Sequence, residues 1–266
     1  GRKGDDLAPL PDEVLTLQAA SNARTHLYSG VTTVRDCGAK NRTTFMLREA
    51  VRMGITPAPR LVLSGRPMAI IGGHLSYFGV QATGVNECRA AVRQLIKEGA
   101  DFIKITATGG STRTSHPLRP SFSMEELSAI CDEAHKFGKL TAAHCVSTQG
   151  IINSLEADID MIIHCYFREP DGTFRFRTDV AERIAKQETF VNPTLHVGRS
   201  RVWAQEHEKE RRQLTKQEQS VLDQSLNVFQ QHLEFSSRMI EMGLKVITGS
   251  DSSWGDYKLG NTIYET

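Results

Sequence analysis

The chain has 266 residues, 39% of them hydrophobic, enough for one large buried core. Its 32 basic and 31 acidic residues leave a net charge of +1, which gives no electrostatic case for nucleic acid or an anionic membrane as partner. The longest apolar runs, such as 140–143 and 161–163, are far too short to span a bilayer. The five cysteines, Cys37, Cys88, Cys131, Cys145 and Cys165, form no CxxC pair and read as small buried hydrophobes in a reducing compartment.

The first six residues are polar and lack the apolar centre of a signal peptide, which points to a cytoplasmic protein. The chain starts without methionine, so a leader upstream of Gly1 stays open. From Pro11, apolar residues at Val14, Leu15, Leu17, Ala20, Ala23 and Leu27 recur at helical spacing, and Gly30 supplies a stop. Val31-Thr32-Thr33-Val34-Arg35 is a β-branched strand ending at Asp36. A helix over 42–53 and a strand over 60–65 follow. A helix over 87–98 stops at Gly99 and leads into the apolar strand around Lys104. Ser123-Met124-Glu125-Glu126 is a capping box opening a helix that closes at Gly138. Then come a strand over 140–144, a short helix over 148–155, a strand over 160–164, a helix over 179–187 and a strand over 189–195. A long charged stretch over 202–242 reads as helices with a break, and 243–251 is the last strand.

Seven short apolar strands separated by helices, without hairpin signals, predict a parallel sheet with crossover helices. A doubly wound sheet and a barrel both satisfy that alternation. Polar residues close many strands and not one switch point: Asp36, Ser64, Lys104, His144, His164, Asn192, Thr194 and Asp251. That distribution favours a barrel, which builds its site from the ends of several strands. The predicted fold is α/β, a (β/α)8 TIM-type barrel in one domain over 1–266, with an eighth strand missing from one end.

Lysine is almost never buried without a partner. Lys104 lies between Phe102, Ile103 and Ile105, so its ammonium either reaches solvent or an acid, or has lost its proton to desolvation. A neutral amine can be carbamylated by CO2, giving a carboxylate that bridges two metal ions. His144 ends Leu140-Thr141-Ala142-Ala143-His144, His164 ends Met161-Ile162-Ile163-His164, and Asp251 ends Val246-Ile247-Thr248-Gly249-Ser250-Asp251. Singly, each reads equally as an ordinary core or surface residue. Together, four ligand-type side chains at four strand ends converge on one barrel mouth. Imidazoles, a carbamate and a carboxylate suit zinc or another first-row metal. Cys145 and Cys165 follow the two histidines and, by strand alternation, face away from that mouth.

Gly30-Val31-Thr32-Thr33-Val34-Arg35-Asp36, Gly72-Gly73-His74, the Lys104 strand, His144, His164 and Thr248-Gly249-Ser250-Asp251 resemble, in that order, the amidohydrolase superfamily. The resemblance spans nearly the whole chain and is strongest to the imidazolonepropionase-related, prolidase-like (Xaa-Pro dipeptidase-like) branch. In that family a His-x-His pair on the first strand binds the more buried metal, and a small β-rich domain joins the two termini. Neither feature is present here, so the resemblance implies a barrel lacking its first strand and its β-domain, through truncation and not degeneration. It further implies that carbamylated Lys104 bridges two zinc ions, fewer if the histidine pair is truly absent. His144 and His164 would bind the second ion. Asp251 would touch the first, take a proton from the bridging hydroxide's parent water and return it to the leaving nitrogen.

Around the metal residues the reading stays open. His74 holds the substrate carbonyl or carboxylate, or is a loop histidine beside a glycine turn. Tyr166 donates to a tetrahedral oxyanion, or packs as an aromatic. Arg113, His116 and Arg119 form a cationic loop suited to a substrate carboxylate, or a solvated surface loop. His196 is a further candidate, whereas His26, His135, His207 and His232 fall on helices and read as surface residues. The resulting expectation is a metal-dependent hydrolase that cleaves an amide bond in a dipeptide or N-acyl amino acid, compatible with a homo-oligomer. The alternatives are a cyclic-amide hydrolase, a mononuclear deaminase that needs no lysine on the fourth strand, or a catalytically silent barrel. Gly72-Gly73 and Gly109-Gly110 make neither a GxGxxG nor a Walker A pattern, which leaves nucleotide binding unsupported.

Overall fold

The computed structural model describes residues 8–252 and 259–260. Apolar periodicity switches repeatedly between 3.6 and 2, and the chain accordingly alternates helix and parallel strand. In order, the elements are α1 (Asp12–Tyr28), β1 (Thr33–Asp36), α2 (Thr43–Arg52), β2 (Arg60–Leu63), β3 (Met68–Ala69), β4 (Val80–Gln81) and α3 (Gly84–Glu98). They continue with β5 (Ile103–Ile105), α4 (Met124–Lys136), β6 (Thr141–Ser147), α5 (Thr148–Glu156), β7 (Met161–Arg168), α6 (Thr178–Lys186), β8 (Phe190–Asn192), α7 (Leu195–Arg211) and α8 (Lys216–Glu241). Every strand pairing is parallel, in two groups ordered β1-β2 and β4-β3-β5-β6-β7-β8. Asp101 joins the groups: its amide donates to the Leu63 carbonyl at 2.7 Å, and its Oδ2 accepts the Leu63 amide at 2.8 Å.

The strands close on an inner layer of Phe102, Ala142 and Ile163, against which Cys37, Val62 and Met161 pack. Their sequence neighbours Ile103, Ala143 and Ile162 point outward into the larger core under the helices. The cavity described below opens above that inner layer. Glu126 and Ser123 form the expected capping box at α4, and Thr215 with Glu218 forms another at α8. Among the described residues no helix is long and apolar enough to cross a membrane.

Three differences from the sequence reading have physical causes. The two-residue strands β3 and β4 carry too few residues to show a period, yet Met68 pairs with both Val80 and Ile105. The strand read over 189–195 stops at Asn192, because Pro193 has no amide for a ladder and Thr194 turns into the left-handed region at φ 51°. α7 therefore begins at Leu195. The last strand shrinks to one parallel bridge, Val191 to Val246, flanked by the bonds Val191 N to Lys245 O and Ile247 N to Val191 O. Among the described residues that segment pairs on one side only, which leaves its backbone irregular from Thr248 onward.

Candidate active site

A cavity of about 1230 Å³ opens at the C-terminal ends of the strands. Lys104, His74, His144, His164, Asp251 and Tyr166 all line it. Arg113 and His116 do not: both are exposed on the loop after Gly110 and lie outside the cavity wall. The His116 backbone instead packs against Gly109, and its Nδ1 accepts the Leu118 amide. His196 also misses the cavity. The early start of α7 places it on a helix, fully buried, with Nε2 2.9 Å from Ser200 Oγ.

Lys104 stands at the centre of β5, 4% exposed, with Ile103 and Ile105 buried on either side. Burial pushes its ammonium pKa down, opposed by the negative fields of Cys37 and Asp251. Among the described residues no hydrogen bond or ion pair holds it. His144 ends the regular part of β6, and its Nε2 lies 3.0 Å from the Gly109 carbonyl oxygen. A carbonyl only accepts, so Nε2 carries the proton and Nδ1 is left with a lone pair.

His164 is fixed by the same bookkeeping. Its Nδ1 is 2.7 Å from Thr194 Oγ1, and that hydroxyl already donates its one proton to the Pro193 carbonyl at 2.7 Å. Nδ1 must therefore donate, leaving the lone pair on Nε2. Burial holds both imidazoles well below the ordinary histidine pKa, helped by the positive fields of neighbouring groups, Lys104 among them. Both rings are neutral at pH 7, the form that ligates metals. The ring centroids of His144 and His164 are 4.6 Å apart, and His74 lies 4.5 Å from His144. His74 is likewise kept neutral, at about 4, first by burial and then by Lys104.

Backbone strain gathers here. Strand alternation would turn His164 away from the face of Ile163, but His164, Cys165 and Phe167 take φ of 73°, 54° and 48°. The left-handed turn at His164 re-aims its ring, so that Ile163 and His164 both face the cavity. Thr194, which orients that ring, and Asp251 are also left-handed, at 51° and 46°. Such non-glycine conformations cost on the order of 1 kcal/mol or more each and cluster at functional sites. Two glycines permit the close packing around them: a Cβ on Gly110 would stand 2.6 Å from His74 Nε2, and one on Gly249 would collide with the Asn192 amide.

Asp251 faces the open cavity, yet the protein crowding it pushes its carboxyl up to about 6, opposed by Lys104. Asp36, at the end of β1, is pushed up to about 7 by burial, against the pull of the Gly38 amide. Cys145 and Cys165 are buried in the outer core, their thiols raised by burial, and neither lines the cavity. Cys37 does line it, only partly buried. His232 was read from the sequence as a surface helix residue, but it is 8% exposed and stacks on Tyr166 at 4.0 Å. Nothing in its local sequence marks it, because α8 presents the residue through a tertiary contact. His26 also lines the cavity.

Does this donor set fit a metal ion? Two neutral imidazoles present known lone pairs side by side, each with its other nitrogen held by a protein acceptor, the arrangement that aims a histidine at a cation. Among the described residues no group of three His, Cys, Asp or Glu side chains is close enough to hold an ion unaided. The histidine pair would supply only part of a coordination shell, and the field of Lys104 reaches both rings.

Parallel strands ending in polar side chains around one cavity define a barrel of the type that carries its chemistry at the C-terminal face. The chain belongs to the amidohydrolase family, whose model matches residues 4–264. Enzymes of this family generally use divalent metals. Ochratoxinase of Aspergillus niger is 28% identical over 171 residues, which are 54% of this chain and 35% of that protein. A crystal structure of a Xaa-Pro dipeptidase with methionine bound in its active site superposes with a TM-score of 0.77 at 26% identity, over 96% of this chain and 63% of that one. The crystal structure of A. niger ochratoxinase gives the same TM-score at 21% identity, over 96% of this chain and 60% of that one, and speaks for the fold alone. The chain spans less than two thirds of each.

Proposed function

We propose that this chain carries the catalytic barrel of a metal-dependent hydrolase that cleaves an amide bond in a dipeptide or N-acyl amino acid. The observation that carries the reading is the pair of lone pairs, His144 Nδ1 and His164 Nε2, in one cavity with a buried lysine that has no partner among the described residues. The membership of the amidohydrolase family and the likeness to a Xaa-Pro dipeptidase that binds methionine support it.

His144, His164, Lys104 and Asp251 would hold the metal. Desolvation favours the neutral amine of Lys104, whose nitrogen lone pair can bond to the carbon of CO2 while a carbonyl pair moves to oxygen and the nitrogen gives up its proton. The resulting carbamate places an anion where a bare ammonium would repel a cation, and two zinc ions are the expected occupants. Divalent ions in such a site polarise an amide carbonyl and lower the pKa of water. Asp251 takes a proton from the attacking water at its carboxylate and delivers it to the departing nitrogen. His74, 4.5 Å from the His144 ring, would hold the substrate carbonyl, and Tyr166, on the same cavity wall, would donate to the oxygen that gains charge.

The test is an assay of the intact protein with added zinc against a library of dipeptides and N-acyl amino acids. Lys104→Ala and Asp251→Ala are each expected to lower kcat/KM by a factor of about 10³ or more with circular dichroism unchanged. Turnover at the wild-type level in either variant would sink the reading. A specific observation favours a second one: among the described residues no three His, Cys, Asp or Glu side chains stand close enough to hold one ion. One bound metal per intact chain, with mass spectrometry showing unmodified Lys104, would favour a mononuclear deaminase or cyclic-amide hydrolase.

A further inference from the structure

The cavity runs past the histidine cluster along a wall made by α7 and α8, and that wall has a chemistry the hydrolytic reading leaves unused. His232, from α8, is sandwiched between aromatic neighbours: Tyr166 stacks on it at 4.0 Å and 15°, and Phe174 meets it edge-on at 5.0 Å. These contacts fix the ring. Its Nε2 is buried and finds no hydrogen-bond partner among the described residues. A buried polar atom without a partner is rare and costly, so one held rigidly at a cavity wall calls for a ligand.

Arg201, from α7, is exposed and lines the same cavity. Among the described residues no carboxylate pairs with it, and its charge reaches His232. Burial first, and Arg201 second, hold His232 neutral, at about 4. The ring thus offers a hydrogen bond and not a charge, while Arg201 offers the charge. Among the described residues the carboxylates that line the cavity, Asp36 and Asp251, sit at the ends of β1 and of the last segment, and none stands on the α7–α8 wall. Val228 and Phe229, one turn before His232 on α8, line the cavity with apolar surface.

We propose that His232 and Arg201 anchor a free carboxylate at one end of the substrate, with Val228 and Phe229 receiving the apolar side chain beside it. The inference deepens the proposed hydrolase function and rests on it. In an amide-cleaving site a carboxylate one residue from the scissile bond belongs to the leaving amino acid. Fixing it sets the distance from the anchor to the bond and so makes His232 and Arg201 specificity-determining residues, outside the reacting atoms.

The test uses the intact, zinc-loaded protein with N-acetyl-L-leucine and N-acetyl-L-leucinamide as substrates, and with L-leucine and L-leucinamide as ligands in calorimetry. Arg201→Gln is expected to raise KM for the acid about tenfold while kcat stays within about threefold, because a charge-assisted hydrogen bond is lost. The carboxamide should show no change. His232→Phe, which keeps the stack and removes the nitrogen, should do the same, and L-leucine binding should weaken in parallel in both variants. Equal treatment of acid and carboxamide by wild type and variants would overturn the anchor. So would a loss of kcat on both substrates with their ratio unchanged, the signature of a merely structural role. Arg201 is exposed, so its variant decides the matter even if His232→Phe fails to fold. If neither substrate turns over but L-leucine binding depends on Arg201, the anchor stands and the hydrolase reading falls.

Discussion

The two ends of the strands treat their buried polar groups in opposite ways. At the N-terminal end, Asp160 Oδ2 accepts from the Thr141 amide and the Thr141 hydroxyl, both at 2.7 Å, and lies 2.8 Å from His135 Nε2. Asp101 likewise ties Leu63 to Arg48, at 2.8 Å to each. Both carboxylates thus find their partners within the fold, and the left-handed residues at this end, Asp158 and Glu188 at φ of 62° and 56°, lie in the turns that lead into β7 and β8. At the C-terminal end Lys104 has no partner among the described residues, two histidine nitrogens present bare lone pairs, and Thr194, His164 and Asp251 sit in strained conformations. One end uses its polarity to hold strands in register. The other leaves it without a partner among the described residues, as the proposed metal site requires.

That contrast can be broken by substitution. The largest effect is expected at the satisfied end: Asp160→Ala strands the buried Thr141 amide and hydroxyl and should lower stability by about 3 kcal/mol in chemical denaturation, with activity per folded molecule unchanged. At the other end Thr194→Val removes the acceptor that fixes His164 while keeping the shape. Zinc affinity, measured by competition with a chelator, should fall by about 10–100-fold with little change in thermal midpoint. A stability loss from Thr194→Val as large as that from Asp160→Ala would erase the distinction between the two ends.

The smallest effect is in pH dependence. His232 titrates at about 4 in the folded chain and near 6.5 unfolded, so between those values the unfolded state binds more protons. The wild type therefore loses stability as pH falls from about 6.5 to about 4, and nothing further is lost below. His232→Phe should lack that part of the loss, on the order of 2 kcal/mol, in urea titrations run at pH 7 and pH 4. Parallel curves for the two proteins would show that the buried ring is protonated without penalty.

Much of the architecture is legible in the sequence because local rules and tertiary structure agree. The Ser123 box, the glycine stops and the β-branched runs each name their element, and Lys104, His144 and His164, read as strand ends but lying within β5, β6 and β7, do meet in one cavity. What stays hidden depends on distant partners. Met68 and Ala69 become a strand only because Ile105 and Val80 flank them. His232 joins the cavity because Tyr166 and Phe174 meet it from β7 and from the loop that follows. His196 left the expected site for a reason that was local, the proline at 193, which ends β8 and commits the next turn to helix. The loop with Arg113 and His116 has the right charge for an anion, but charge alone does not say which way a loop folds.

The clamped tautomers of His144 and His164 carry a consequence for how the site would be refilled. Neither ring can swing to offer its other nitrogen without surrendering a hydrogen bond to Gly109 or Thr194. The ordering of these rings is therefore completed when the chain folds, and an arriving cation would meet them already fixed. A protein stripped by chelation should take up ions again at a rate set by the shedding of their hydration water, with no slow rearrangement of the polypeptide in between.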